Sequence, residues 1–577
     1  MVGTRRTLDG TRRSRVDSIV VEWLRECVEK HDCQGSTATL PSRVLDVSQS
    51  SEGGISLYVT DQEIEPYAAL SHCWGGEVPM KTTTLNYEAQ QNHIAVDDLP
   101  PNFKDAIEVT RRLGLRYLWI DALCIIQDDL SDWEVESREM SSIYGDAHLV
   151  IGADGAKGAE EGFLRDSPGY NSMHAGGKSA LVAVVDDEQA DVYVFECPEH
   201  YDTCSLLDKA ILSEQYQDVV ENPLSQRAWA FQEQLLAPRM VHFTKEEMVW
   251  ECRSRYRCEC TQFDDSRQRT SKDDWISGDT AKMGVQWYSF VNEVCVRQLT
   301  FKTDILPCLS GIAAQMEASM MGRYLAGLWE EDLLLGLTWS YKELQTRISP
   351  QQAPSWSWAS LEGRGSPYWL LRQEWESIAL KVPHAQILDA QCIPKGQNAY
   401  GAVSQGYIKM IAPFVRVEVM ENHNAANEVN PSHWILKRLA LERAVEVSEA
   451  GLQLPANADS HLSLDGHDFF YAVLIAEIAC IKEEYIGPTE ESEDSESDDS
   501  EYEPADDEQE RKLWEGPSET FGLIIRERLA EESNRFERVG SFSEFARWNG
   551  ESPFGNHKKQ EVLNFFGAAQ ERTIMLL

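Results

Sequence analysis

The chain has 577 residues, a formal net charge of -43 and 42% hydrophobic residues, which at about 150 residues per domain provides for three or four packed units. So acidic a chain repels phosphate backbones, which disfavours nucleic acid as a partner. It contains no apolar run of about 18 residues and no apolar N-terminal segment, so we expect no membrane span, no secretory signal and 13 reduced cysteines in the cytoplasm.

The predicted elements begin with an amphipathic helix over residues 17–31 and two short strands over 43–47 and 55–59. A buried strand over 67–71 then ends at two glycines, Gly75 and Gly76.

A helix follows Pro101, for which Asn102 is the predicted N-cap and Gly114 the end. Further along come a strand over 117–121, a helix predicted to be capped by Ser131 and a strand over 148–153.

This alternation of apolar strands and helices predicts an α/β domain with a parallel sheet covered by helices on both faces. In such sheets ligands bind beyond the carboxyl ends of the strands. We therefore expect any site to involve residues 71–76, 121–128 and 153–155.

The remaining sequence predicts an α+β region over 236–485, a disordered acidic segment over 486–512 and a C-terminal piece over 513–577 that returns to the α+β region. The segments before these are an N-terminal helix with short strands over 1–65 and the α/β domain over 66–235.

Three motifs resemble the fungal heterokaryon incompatibility (HET) domain, in the family's order. They are YAALSHCWG from Tyr67, GLRYLWIDALCIIQD from Gly114, and RAWAFQE from Arg227. Weaker similarity to large proteins with this domain continues in LAGLW from Leu325 and PSWSWA from Pro354. The resemblance implies nonself recognition that ends in programmed cell death, and a fold similar to Toll/interleukin-1 receptor (TIR) domains.

The resemblance also implies a set of motif residues that bind a ligand or shape the domain. These are Ser71, His72, Cys73, Trp74, Gly75, Asp121, Cys124, Gln127, Asp128, Trp133, Arg227, Trp229 and Glu233. For Asp121 two interpretations stay open, because an aspartate that leaves an apolar strand needs partners either way. Either Asp121, Gln127 and Asp128 hydrogen-bond a ligand at the end of the strand, or Asp121 caps a turn or pairs with Arg116 or Arg227.

Some TIR domains hydrolyse NAD with a glutamate that follows a tryptophan on a helix. Glu136 follows Trp133 by three residues, which makes it the candidate catalytic carboxylate, with NAD as substrate rather than cofactor. The alternatives are a solvated or salt-bridged Glu136, and a non-catalytic domain that binds protein partners or itself through Trp74, Gly75 and Gly76.

Cysteine chemistry offers two further hypotheses. Neighbouring residues on a strand point to opposite faces, so His72 is poorly placed to activate Cys73 as a nucleophile. Zinc is suggested by two groups, Cys27 with His31 and Cys33, and His242 with Cys252, Cys258 and Cys260. Neither group has paired Cys-x-x-Cys spacing, so the sequence favours packed thiols and no metal site.

Overall fold

A computed structural model gives the fold of two compact units. It describes residues 11–33, 39–48, 54–76, 80–165, 222–245, 247–259, 280–318, 322–341, 345–348, 352–362, 377–421, 470–485, 511–527, 535–543 and 569–577, the short strands 179–185, 188–194, 264–265, 434–438 and 453–458, and residues 367 and 566. Unit 1 comprises residues 1–278, 289–320 and 393–404, and unit 2 comprises 279–288, 321–392 and 405–577.

Unit 1 begins with helical turns at Arg12–Arg15 and Val16–Val20, the second of them π-helical. Its helices are α1 (Val21–Lys30), α2 (Tyr87–Asn92), α3 (Pro101–Arg112), α4 (Asp121–Cys124), α5 (Leu130–Gly145) and α6 (Ala228–Leu236). Helix α7 (Thr280–Cys295) and helix α8 (Ser310–Ala318) follow along the chain.

The strands of unit 1 are β1 (Arg43–Asp46), β2 (Gly54–Val59), β3 (Tyr67–Ser71), β4 (Ile94–Ala95), β5 (Tyr117–Trp119), β6 (Leu149–Gly152), β7 (Ser179–Val185), β8 (Glu188–Val194), β9 (Arg239–Phe243), β10 (Met248–Cys252), β11 (Tyr256–Cys258) and β12 (Asp264–Asp265). Strands β7 and β8 pair only with each other among the described residues, and the others form one sheet. Its order is β12-β11-β10-β9-β6-β3-β5-β1-β2-β4.

The predicted parallel sheet is confirmed for the centre of this sheet. Strand β3 pairs in parallel with β5 and β6, and β6 pairs in parallel with β9. The flanking strands are antiparallel, so the sheet as a whole is mixed. Every residue of β3, β5, β6 and β9 is buried, as expected for strands covered on both faces.

Two predicted helix caps are wrong. Helix α3 begins at Pro101, and Asn102 lies inside it, where its side chain donates to the Gly158 carbonyl at 3.2 Å. Helix α5 is capped by Asp129, whose carboxylate accepts from the Ser131 and Asp132 amides. In both cases several residues could cap the helix, and the tertiary contacts of the loop select one.

Unit 2 is built on one antiparallel-rich sheet that curls back on itself. Its strands are β17 (Ser377–Pro383), β18 (Gln386–Pro394), β19 (Val403–Glu421), β20 (Trp434–Arg438), β21 (Gln453–Ala458), β22 (Phe470–Tyr485), β23 (Arg511–Glu527), β24 (Arg535–Ser543) and β25 (Gln570–Leu576). Pairing of β22 with β19, and of β25 with both β19 and β24, gives the sheet a barrel-like form. Residues 486–510 of the predicted acidic segment lie outside the described residues.

Smaller elements of unit 2 precede this sheet. They are the hairpin β13 (Tyr324–Leu325) with β14 (Leu328–Trp329), helix α9 (Leu333–Gly336), and the pair β15 (Thr346–Arg347) with β16 (Leu361–Glu362). In the described part of unit 2, strands are therefore much more extensive than helices.

The LAGLW and SWSW segments form the tryptophan core of unit 2. Trp287 and Trp358 both donate an indole N–H to the Gly327 carbonyl, at 2.9 and 3.0 Å. Gly327 has a φ of +91°, and a β-carbon there would lie 2.6 Å from the Trp358 indole nitrogen. The Ser357 hydroxyl donates to the Ala326 carbonyl at 2.6 Å, so the two segments are joined by hydrogen bonds as well as by packing.

Candidate functional site

The carboxyl end of β3 carries a buried polar cluster. The Ser71 hydroxyl donates to the Glu233 carboxylate on α6, and the Tyr144 hydroxyl on α5 donates to the Leu70 carbonyl at 3.1 Å. Burial raises the pKa of Glu233 to about 7, although Arg227 and the Ser71 hydroxyl favour its charged form. The buried carboxyl group of Glu233 therefore has a pKa close to neutral pH.

Arg227 connects the start of α6 to the chain that leaves β3. Its guanidinium donates to the His72 carbonyl. Burial lowers its pKa, but the charges of Glu233 and Asp121 outweigh this effect and raise it. The guanidinium therefore holds two motif segments together and compensates two carboxylates in a poorly solvated place.

His72 is buried beside Asp121, with its Nδ1 atom 3.8 Å from the carboxylate. Burial lowers the pKa of His72 to about 4, so the ring is neutral at physiological pH. Among the described residues neither ring nitrogen has a hydrogen-bond partner, and the ring packs edge-on against Phe103 at 5.2 Å.

The Cys73 thiol is buried, and burial raises its pKa to about 11. A protonated thiol is a poor nucleophile. A neutral His72 and a protonated Cys73 agree with the interpretation that these are packing residues.

Asp121 begins α4 instead of ending the strand, and its carboxylate is engaged by neighbours. It accepts from the Trp74 indole at 2.8 Å and from the Ala122 amide at 2.7 Å. Gln127 donates its side-chain amide to the Asp121 carbonyl at 2.9 Å. Of the two interpretations, the turn-capping one describes these contacts, while Arg116 pairs with Asp46.

Asp128 and Cys124 also have local partners. Asp128 accepts from the Thr84 amide and hydroxyl, both at 2.8 Å. Cys124 is fully buried, its pKa is raised to about 12 by burial, and its carbonyl accepts from Arg43 at 2.6 Å. Asp128 therefore joins its loop to the loop of Thr84, and Cys124 joins α4 to β1.

Glu136 lies on α5 in a buried ion-pair network. Its carboxylate is 3.1 Å from the Arg43 guanidinium and accepts from the Ser42 hydroxyl. Arg43 also binds both oxygens of Asp132 at 2.8 Å. Burial raises the pKa of Glu136 despite these two partners. Of the predicted alternatives, the salt-bridged carboxylate describes these contacts.

The remaining motif residues serve packing. Gly75 has a φ of +74°, and a β-carbon there would lie 2.5 Å from the Gly158 α-carbon, so only glycine fits this close approach. Trp133 is half-buried against the core, and Trp229 donates its indole N–H to Asp304 at 3.4 Å.

Sequence reasoning missed a second polar group on β9. His242 lies between Asp154, at 3.0 Å, and Glu251, at 3.2 Å. Burial lowers the pKa of His242, but both carboxylates favour the imidazolium, and the pKa rises to about 9. The available signal was Asp154 at the end of a predicted strand. His242 lies in a different segment of the sequence, so local patterns do not predict that it contacts Asp154.

The sequence suggests Cys27, His31 and Cys33 as one zinc group and Cys252 as part of another, but it does not predict that these four residues meet. Cys27, His31, Cys33 and Cys252 place their sulfur and nitrogen atoms within 4.8 Å of one another. The other zinc hypothesis gains no support, because His242 is bound to carboxylates and Cys260 lies outside the described residues.

Unit 1 therefore defines an α/β domain whose sequence motifs converge at the carboxyl ends of its parallel strands. Residues 67–233 match the family described as Heterokaryon incompatibility protein (HET). The chain carries a heterokaryon incompatibility domain, as the motifs predicted. No match was found among curated proteins or solved structures. No described helix is long and apolar enough to cross a membrane.

Proposed function

We propose that this chain acts in fungal nonself recognition leading to programmed cell death, and that its HET domain works by binding protein partners or itself. The proposal of a binding role rests on the contacts of the motif carboxylates. Those of Glu136, Asp121 and Glu233 all have partners within the domain. The motif residues then stabilise the interior of the domain, and the surface of the domain contacts its partner.

A glycohydrolase needs a carboxylate that can reach the sugar of its substrate and hold charge in the transition state. For Glu136 to do so, it would have to leave Arg43 and Ser42. Removing one partner from a buried ion pair costs about 3–5 kcal/mol. That cost argues against a direct catalytic role for Glu136.

Support for a binding surface comes from two exposed leucines next to the site. Leu85 is 95% exposed and Leu130 is 71% exposed. Each lies within two residues of the pair Thr84 and Asp128, whose hydrogen bonds join the two loops. Leu85 lies on an ordered loop and Leu130 is the first residue of α5, and apolar side chains held in this way are suited to a protein contact.

The test is the molar mass of the full chain measured by light scattering over a range of concentrations. We expect concentration-dependent association that the double variant Leu85→Asp with Leu130→Asp reduces at least tenfold. Leu388→Asp is the matched control, since Leu388 is an exposed leucine of unit 2. Association unchanged in the double variant would remove these loops from the proposal.

A TIR-like NAD hydrolase is the second candidate, and one observation favours it. Glu136 is a desolvated carboxyl with a raised pKa on the helix that carries Trp133, and perturbed carboxyls often mark active sites. We expect no NAD consumption by the full chain at any concentration. Turnover lost in Glu136→Gln and kept in Glu134→Gln would make the domain an enzyme and overturn the first proposal.

A further inference from the structure

The four clustered side chains come from two segments that are distant in the sequence, residues 27–33 and Cys252. Cys27 lies in the last turn of α1, and His31 is the residue that follows the helix, where its backbone N–H donates to the Cys27 carbonyl at 3.1 Å. Cys33 follows in the next turn, and Cys252 is the last residue of β10. Cys252 is 219 residues after Cys33 in the chain, which is why sequence spacing could not reveal the cluster.

Three thiols and one imidazole match the ligand set of a closed, structural zinc site. Bond lengths of about 2.3 Å to sulfur and 2.0–2.1 Å to nitrogen put tetrahedral ligand atoms about 3.5–3.8 Å apart. The Cys252 sulfur already lies 3.5 Å from the His31 Nδ1 atom, and no pair in the cluster is beyond 4.8 Å. No separation exceeds its tetrahedral value by more than about 1.3 Å, so small side-chain rotations complete the geometry.

Burial and neighbours fit a metal centre as well. Cys27, Cys33 and Cys252 are buried, and His31 is half-buried at the edge. The Ser254 hydroxyl lies 3.3 Å from the Cys33 sulfur. Hydrogen bonds of this kind orient metal ligands and tune their charge.

Arg239 supplies an independent argument. Arg239 is 3% exposed, and its guanidinium donates to the Cys27 sulfur at 3.2 Å and to the His148 carbonyl at 3.3 Å. In the described part of the chain no carboxylate forms an ion pair with it. A buried cation needs a compensating charge. Zinc with three thiolates and a neutral imidazole carries a net charge of about −1, which Arg239 would balance.

We propose that Cys27, His31, Cys33 and Cys252 bind one structural Zn²⁺ ion. The ion fastens α1 to β10, which lie before and after the residues that match the HET family. It thereby clamps the two flanks of the HET domain to each other. Closing a loop of this length removes conformational freedom from the unfolded chain and so stabilises the fold.

The test begins with elemental analysis of the full chain after reduction, gel filtration and dialysis against metal-free buffer. We expect one zinc ion per chain, and loss of at least nine-tenths of it in Cys27→Ser and Cys252→Ser. Cys308→Ser is the matched control, because Cys308 is an equally buried thiol outside the cluster. Zinc retained equally in all of these proteins would assign it to other groups, such as the acidic tract, and overturn the proposal.

Cobalt substitution reports the ligands directly and does not depend on any variant folding. Co²⁺ in the full chain should give sulfur-to-metal charge-transfer bands and the strong visible absorption of a tetrahedral site. Removing the metal with a chelator should lower Tm by roughly 5 °C or more. If the serine variants fail to fold, His31→Asn tests the same site from its exposed side.

Two outcomes would defeat the proposal. One is an absence of both zinc and the cobalt spectrum in the folded, reduced chain. The other is a mass 2 Da lower after purification without reductant, with cysteine pairing mapped to this cluster and no metal uptake after reduction. That result would make the cluster a disulfide site.

Discussion

The ends of the parallel strands in unit 1 and the tryptophan core of unit 2 hold their motif residues in place by different means. In unit 1 the contacts of the motif side chains are largely polar, and Arg227 compensates the charges of the buried Glu233 and the partly buried Asp121. In unit 2 the large motif side chains are aromatic, and Trp358 shares one backbone carbonyl acceptor with Trp287, which lies outside the motifs. The first arrangement depends on charge and pH, while the second depends on shape and volume.

The largest effect should come from removing volume in unit 2. Trp358→Ala deletes a fully buried indole and its hydrogen bond to Gly327. We expect the free energy of unfolding to fall by about 3–5 kcal/mol, measured by urea denaturation. Leu85→Ala, at an exposed site, should change it by less than about 0.5 kcal/mol. A loss below 1 kcal/mol for Trp358→Ala would mean that the aromatic core is loosely packed.

The charge-dependent arrangement should show in the pH dependence of unit 1. Because the pKa of Glu233 is raised from 4.5 to about 7 in the fold, the folded state binds this proton more tightly than the unfolded state. The stabilising effect of protonated Glu233 is complete below pH 4.5 and is lost as pH rises through 7. This loss lowers the free energy of unfolding by about 3 kcal/mol. Glu233→Gln should remove that loss.

Urea denaturation between pH 4.5 and 7.5 checks this prediction. Glu88→Gln, which changes an exposed carboxylate, should keep the wild-type pH dependence. An identical pH profile for Glu233→Gln and wild type would show that Glu233 remains charged throughout and that Arg227 compensates it fully.

Two glycine substitutions, with smaller expected losses of stability, should separate the cost of backbone strain from the cost of steric crowding. Gly327→Ala meets the Trp358 ring and also forces alanine to a φ of +91°, so we expect a loss of about 2–3 kcal/mol. Gly114→Ala has a φ of +73° with no atom within 4 Å of the new β-carbon, and it should lose about 1 kcal/mol. Equal losses by thermal denaturation would mean that the Trp358 ring moves aside freely.

The smallest effect belongs to an exposed ion pair. Arg323 and Glu330 in unit 2 contact each other at 2.6 Å, but both side chains are exposed. Solvent screens such pairs, so Glu330→Gln should change the free energy of unfolding by less than about 0.5 kcal/mol. A loss above 1 kcal/mol would contradict the view that charge matters mainly in the buried cluster of unit 1.

The sequence by itself determined the centre of unit 1. Apolar runs at 67–71, 117–121 and 148–153, separated by helical patterns, predicted the parallel strands β3, β5 and β6, because burial on both faces leaves continuous apolar segments. The order of the motifs identified the HET domain. Local patterns encode these features, so they can be read from the chain alone.

Only the tertiary structure decided the partners of the polar groups. Glu136 faces Arg43, Asp154 faces His242, and Cys252 reaches Cys27, although each pair is distant in sequence. Which strand lies beside which is set by packing of the whole sheet, and no spacing rule records it. The TIR-like fold and the chemistry of the domain stay predictions, because a buried carboxylate acquires its role from neighbours that the sequence does not name.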